Sequence, residues 1–272
     1  MSNEALPNWV DIEYQTLGSA RVAIVRFDRG HASNTMSAEL CRQLRRAAQS
    51  FEMDGTLAAV VLTGRIDNFS MGADLRDAEL RASLDAKLAD RRLLHQTGGK
   101  MCRAWEELEP LTIAAIEGWC VGGGAALSVC CDLRVAAENA TLYVPEIERG
   151  MNLSWGAVPR ITHLVGPAKA KRIVMLSEKL SAAKGLDWGL IDQVAQPGHA
   201  LAAALDFARQ AASLPPVQMR MIKQAVNAST NALDRAVSHA DFDQFGLAVS
   251  SGDYREGVAS FIEKRAPKYT GS

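Results

Sequence analysis

Gly118-Trp119-Cys120-Val121-Gly122-Gly123-Gly124-Ala125-Ala126-Leu127-Ser128 sets three consecutive glycines between a strand-like apolar run and a helix-like one. A helix start leaves its first N–H groups without intrahelical partners and carries partial positive charge. With glycines there, bare backbone faces whatever lies in front of the junction, and an oxygen that gains negative charge during a reaction is stabilised. One such amide makes half of an oxyanion hole. A second would come from a distant loop, and Asn68-Phe69-Ser70-Met71-Gly72-Ala73-Asp74-Leu75, after the apolar strand Leu57 to Leu62, is the candidate source.

Outward from this junction the chain alternates strand, turn and helix. Arg21 to Phe27, Leu57 to Leu62, Thr112 to Ile116 and Leu133 to Ala136 read as strands. Ser37 to Met53 reads as a helix with Ser37 as N-cap. Asp85 to Glu109 is helical by composition, with an expected interruption at Gly98-Gly99 and an end at Pro110; Ala125 to Cys131 is a helix of small residues. The alternation predicts an α/β fold with a ligand site where strands hand over to helices. From about His199 helical patterns dominate: Leu201 to Ala212, Val217 to Ser229, Leu233 to Ser250 and Tyr254 to Lys264. A division near residue 200 follows, with a core over 1–200 and a helical region over 201–272.

Composition removes several classes of function. The 272 residues carry a formal charge of −1 with both signs mixed along the chain, so no basic stripe tracks a nucleic acid. Cys41, Cys102, Cys120, Cys130 and Cys131 form no C-x-x-C pair and no zinc spacing, and read as reduced core residues. The histidines, His31, His95, His163, His199 and His239, show no metal-ligand pairing and are expected at the surface or in caps. Met1 to Pro7 lacks the basic and apolar regions of a signal peptide, and no apolar run reaches the roughly 20 residues that cross a bilayer. A cytoplasmic protein with no membrane segment is the expectation.

Glu146, in Leu142-Tyr143-Val144-Pro145-Glu146-Ile147-Glu148-Arg149-Gly150, is a carboxylate among apolar residues just after a stiffening proline. Facing an apolar pocket it would have a raised pKa and serve as a general acid or base near neutral pH. Alternatively it pairs with Arg149 or Arg160 as a structural ion pair. Glu148 reads as solvated, and Asp74 and Asp77 as caps for the following helix. Ser70 and Ser154 sit in near-misses to the G-x-S-x-G elbow, with Asn68 and Asn152 in place of the first glycine. Gly122-Gly123-Gly124 is neither a Walker loop nor a dinucleotide turn.

Taken in order, these stretches resemble the crotonase superfamily, the enoyl-CoA hydratase/isomerase family. The resemblance spans nearly the whole chain: Phe69 to Leu75, Gly118 to Asp132, Pro145-Glu146-Ile147, Gly166 to Ala170, Trp188 to Asp192 and Arg255 to Arg265. It implies a spiral of β-β-α units that binds an acyl-CoA thioester, coenzyme A entering with the substrate and no separate cofactor or metal. It also implies a C-terminal helical region that builds a homotrimer or hexamer. The oxyanion-hole amides would fall on Ala73 and Gly123, with Glu146 as the proton-transferring residue. Of the two glutamates that hydratases of the family use, one matches Glu146 and the other falls on Ala126. The surviving single carboxylate is similar to the pattern of the enoyl-CoA isomerases, and also to hydratase-lyases acting on aromatic acyl-CoAs. Ser154 falls where dienoyl-CoA isomerases and chlorobenzoyl-CoA dehalogenases carry aspartate, so neither activity is expected. Trp155 either narrows the acyl pocket or packs under the helix. Met71, Gly72 and Asp74 with Gly122 would line the CoA and thioester path, and Lys264 would approach the 3′-phosphate. Two readings of other classes stand beside this: a protein that binds acyl-CoA or RNA without turnover, and a serine hydrolase.

Overall fold

The computed structural model describes residues 7–18, 20–83 and 85–272. Ten strands and twelve α-helices follow among the described residues. β1 (Val10–Leu17) and β2 (Ala20–Phe27) form a hairpin that leads to α1 (Ala38–Gln49). Then come β3 (Leu57–Thr63), β4 (Asn68–Ser70), α2 (Ala78–Ser83) and α3 (Leu88–Glu106). The next unit is β5 (Leu111–Ile116), β6 (Trp119–Val121) and α4 (Gly123–Ser128). After it come β7 (Leu133–Ala137), β8 (Thr141–Tyr143), a 3-10 turn (Glu146–Arg149), α5 (Ala157–Val165) and α6 (Pro167–Met175). β9 (Leu180–Ser181), α7 (Ala182–Trp188) and β10 (Gln193–Ala195) complete the sheets. The chain ends in α8 (Ala200–Ala212), α9 (Pro216–Thr230), α10 (Asp234–Ser238), α11 (Asp241–Ala248) and α12 (Gly252–Glu263).

Successive strands alternate between two sheets, which makes the spiral. β3, β5 and β7 lie side by side and parallel in a six-stranded sheet of order β1-β2-β3-β5-β7-β10. Their followers β4, β6 and β8 pair in a second sheet of order β4-β6-β8-β9. β3 is buried along its whole length, as its unbroken apolar sequence requires of a strand covered on both faces. α8 supplies one cover: Ala200, Ala204, Ala208 and Ala211 recur at helical spacing, all buried, and the helix packs on β3, β5 and β7. The sequence division near residue 200 places this helix with the C-terminal region, whereas its buried face belongs to the sheet.

Several expectations are corrected. β1 was not anticipated; its outward Glu13 and exposed Asp11 and Tyr14 break the apolar signal, as befits an edge strand paired on one side. α3 runs without interruption through Gly98-Gly99. α4 starts at Gly123 rather than Ala125, so two of the three glycines are helical. α1 stops at Gln49, although Ser37 caps it as expected, accepting from Leu40 N. The stretch Leu233 to Ser250 is two helices, because Asp241 turns its carboxylate to accept from Gly156 N at 2.8 Å and opens α11 there.

The loop after β4 is bound to the loop after β2. Met36 N donates to Gly72 O, Asp74 N to Met36 O, Met71 N to Ser33 O and the Ser70 hydroxyl to Asn34 O. Asn34 anchors the set: fully buried at φ 40°, it donates to Phe27 O and Phe69 O and accepts from Arg29 N. Asn34→Ala removes three buried bonds and places alanine in a left-handed conformation. It is expected to cost about 2–4 kcal/mol in a urea unfolding titration.

Candidate active site

The two loops bring their free amides together. In the short parallel pairing of Met36 with Ala73, the bonded groups are Gly72 O and Asp74 N, which leaves the Ala73 N–H on the other side of the chain. Gly123 is the first residue of α4, so its N–H has no intrahelical acceptor. Neither amide has a hydrogen-bond acceptor among the described residues. A Cβ added at Gly123 would lie 3.5 Å from Ala73 N, and one added at Gly72 would lie 3.5 Å from Gly123 N, so the two donors are neighbours.

In front of them is a cavity of about 110 Å³, lined by Ala73, Gly123, Ala126, Glu146, Ser154 and Trp155 among others. One water needs about 10–15 Å³, so there is room for an organic group. Glu146 opens the 3-10 turn after β8, and its Oε1 lies 2.5 Å from where a Cβ on Gly122 would stand. Gly122 also has φ +50° and ψ −112°, so only glycine fits there. Glu146 as a residue is half-buried, but its Oε2 is enclosed and has no partner among the described residues. Burial pushes this carboxyl up to about 7; its own backbone amide and the charge of Arg149 pull the other way but do not prevail.

The alternative, an ion pair of Glu146 with Arg149 or Arg160, is not formed among the described residues. Arg160 is held by both oxygens of Glu106, at 2.6 and 2.7 Å, and Arg149 contacts Glu148 and lies over the Phe261 ring. Other carboxylates near the cavity are engaged. Asp74 is paired with Arg29 and accepts from Arg76 N. Asp77 caps two helices, accepting from Ala38 N and Glu79 N. Glu117 accepts from Gly198 N and Ala200 N at the start of α8. Glu148 is in solvent as expected, its side chain 42% exposed, and it accepts from the Tyr143 hydroxyl. Ala126 lines the cavity with its methyl, so one unpaired carboxylate faces the paired amides.

Trp155 is not simply a core residue. Its backbone is left-handed at φ 62°, and its ring reaches from Gly123 to Gly98. A Cβ at Gly98 would stand 2.0 Å from the indole, which explains a glycine inside α3. Met71 is 38% exposed and does not line the cavity. Lys264 is exposed as the C-cap of α12 and does not line the cavity. Ser70 is buried, donating to Asn34 O and accepting from Gly72 N, and among the described residues no histidine bonds it or Ser154, so nothing here supports the hydrolase reading. All five cysteines are free and buried. No group of His, Cys, Asp and Glu among the described residues could hold a metal, and no helix there is long and apolar enough to cross a membrane. His95, expected at the surface or in a cap, is instead buried in the cavity wall. Its spacing from Gly98, Cys102 and Trp105 puts it on the buried stripe of α3, a signal available in the sequence.

The sequence profile described as enoyl-CoA hydratase/isomerase matches residues 18–272. The chain is 30% identical to the short-chain-enoyl-CoA hydratase of Clostridium acetobutylicum over 247 residues, 90% of this chain and 92% of that protein. It is 30% identical to the crotonyl-CoA hydratase of Syntrophomonas wolfei, over 92% of this chain and 94% of the other. The crystal structure of an enoyl-CoA hydratase from Bacillus anthracis superposes with a TM-score of 0.74 at 27% identity, covering 97% of this chain and all of that one, 100%. The chain belongs to the enoyl-CoA hydratase/isomerase family, and its fold is that of the crotonase superfamily.

The raised Glu146 carboxyl makes stability depend on pH. Between its ordinary value of 4.5 and about 7 the folded protein keeps a proton that the unfolded chain has lost, so stability falls as pH rises through that window. Glu146→Gln removes this cost. Its unfolding midpoint is expected to match wild type near pH 4 and to exceed it at about pH 8 by the equivalent of roughly 3 kcal/mol, read by calorimetry.

Proposed function

We propose that the protein is an acyl-CoA enzyme that stabilises a thioester enolate, with Ala73 and Gly123 N–H receiving the oxyanion and Glu146 moving the proton. The observation that carries this is the lone unpaired Glu146 carboxylate, with a raised pKa, beside two free amides. The specific reaction we infer is double-bond isomerisation. Glu146 takes a proton from the α-carbon of a 3-enoyl-CoA, the C–H electron pair passes into the thioester carbonyl, and the resulting dienolate takes a proton back from the Glu146 carboxyl at its γ-carbon. The double bond thereby moves into conjugation, and no water is consumed. A single base serves both transfers because it is regenerated in the second.

The names of the relatives favour a second reading, hydration of a 2-enoyl-CoA with Glu146 alone activating the water. Exposed Met71 and the Gly72 backbone suit contacts along coenzyme A. Ile222, Val226 and Val237, apolar side chains left exposed on the C-terminal helices, support assembly as a homotrimer or hexamer.

Mass spectrometry after incubation of acyl-CoAs in deuterated water tests the chemistry. Wild type is expected to exchange the α-proton, and Glu146→Gln to do so about 10²–10⁴-fold more slowly. Exchange undiminished in the variant would remove Glu146 as the base. As pH falls through about 7, kcat/KM is expected to decline with protonation of Glu146. In water labelled with heavy oxygen, unlabelled product supports the isomerase and labelled product the hydratase.

A further inference from the structure

The indole of Trp155 spans the space between α3 and α4, and each helix carries a glycine where the ring lies. A Cβ on Gly98 would overlap Cε2, Cζ2 and Nε1 of the ring, and one on Gly123 would stand 2.7 Å from Cζ3 and 2.8 Å from Cη2. Gly98 and Gly123 are buried, Trp155 is half-buried and Ala73 is exposed. The cavity therefore opens beside Ala73 and closes on the indole. With a thioester oxygen on the Ala73 and Gly123 amides, a chain running inward from the carbonyl carbon meets this ring.

The ring is a fixed wall. Trp155 holds a left-handed backbone at φ 62°, which is unfavourable for a bulky residue unless its surroundings impose it. Both neighbouring backbone groups are tied: Arg160 Nη1 donates to the Trp155 carbonyl at 2.8 Å, and Gly156 N donates to Asp241 at 2.8 Å. Behind the indole lies the second cavity, of about 160 Å³, which Trp155 also lines.

The space in front of the ring sets a size. At about 10–15 Å³ for each water-sized group, 110 Å³ holds roughly seven to eleven non-hydrogen atoms. With the thioester oxygen and sulfur among them, an acyl chain of about five to nine carbons fills it.

We propose that Trp155 sets the length of acyl chain that this site accepts, closing the cavity to chains longer than about nine carbons. The proposal rests on the acyl-CoA reading of the site and deepens it to a substrate class, the short- and medium-chain acyl-CoAs.

The test measures kcat/KM for straight-chain enoyl-CoAs of about 4 to 16 carbons with wild type, Trp155→Gly and Trp155→Phe. Beyond the longest chain that fits, wild type is expected to lose roughly tenfold for each added methylene. Trp155→Gly suits the left-handed backbone and vacates the volume of the indole. Its ratio of kcat/KM for a chain of about 12 carbons to that for one of about 6 is expected to exceed the wild-type ratio about a hundredfold. Taken within each protein, this ratio is insensitive to an overall loss of rate. Trp155→Phe is expected to raise it about tenfold, and decides if the glycine variant does not fold. A wild-type profile with no fall along the series, or a limit that stays in place in the variants, would overturn the proposal. Absence of turnover and of α-deuterium exchange with every thioester would instead overturn the acyl-CoA reading, and this proposal with it.

Discussion

Keeping a carboxylate out of water with no cation beside it is unfavourable, and the position of Glu146 depends on parts of the chain that hold it there despite that cost. The 3-10 turn is closed by Gly150 N donating to Ile147 O and by Met151 N donating to Glu146 O. Behind it stands α12, more than a hundred residues later in the chain. Gly257 of that helix lies so close to the turn that a Cβ would be 2.6 Å from the Arg149 carbonyl carbon. On the front, Gly122 lets the carboxylate come against backbone where any side chain would displace it. Both nearby arginines are turned to other partners, so the desolvation that raises the pKa is not cancelled. The fold thus uses stability gained in the sheets to maintain a reactive, poorly solvated acid.

The amides opposite depend on the spiral in the same way. Because β4 and β6 are parallel neighbours, the loops that follow them leave the small sheet at the same edge, and Ala73 and Gly123 arrive side by side. Binding of the first loop to residues 33–36 then fixes which face of Ala73 is free. Small residues are required at this crossing: a Cβ on Gly124 would lie 2.8 Å from the Ser70 Cβ. The glycine run is therefore a packing requirement and a chemical one at once.

Those elements whose causes are local could be read from sequence. β3, β5 and β7 are mostly apolar runs, Ser37 caps α1, and the alternation of strand and helix gave the α/β class. The family resemblance added the spiral, which no periodicity encodes. What could not be read has distant causes. The glycines of α3 look like a break until Trp155 is seen to fill the space beside Gly98. His95 is the exception, since its spacing from Gly98, Cys102 and Trp105 alone puts it on the buried stripe of α3. The lack of a partner for Glu146 was undecidable locally, since Arg149 is three residues away and Arg160 is drawn off by Glu106 from another helix.

Trp155 connects these observations. It lines the apolar cavity and also a second, charged cavity bordered by Arg103, Glu106, Arg160 and Asp234, and His95 and Ser154 share that double position. The three side chains form the wall between the two spaces. Arg160 also binds the Trp155 carbonyl at 2.8 Å, so the same guanidinium that is neutralised by Glu106 fastens the wall from the charged side. A bulky ring in a left-handed backbone conformation is unfavourable on its own, and the Arg160 bond together with the fit against Gly98 and Gly123 offsets that strain. Without the ring, water and a cation would reach the Glu146 side, and the carboxyl would relax toward its ordinary value. The arrangement of the whole site follows from one requirement: the apolar cavity must stay separate from the charges behind that wall, so that the Glu146 carboxyl left unpaired in it is met by the occupant of the cavity.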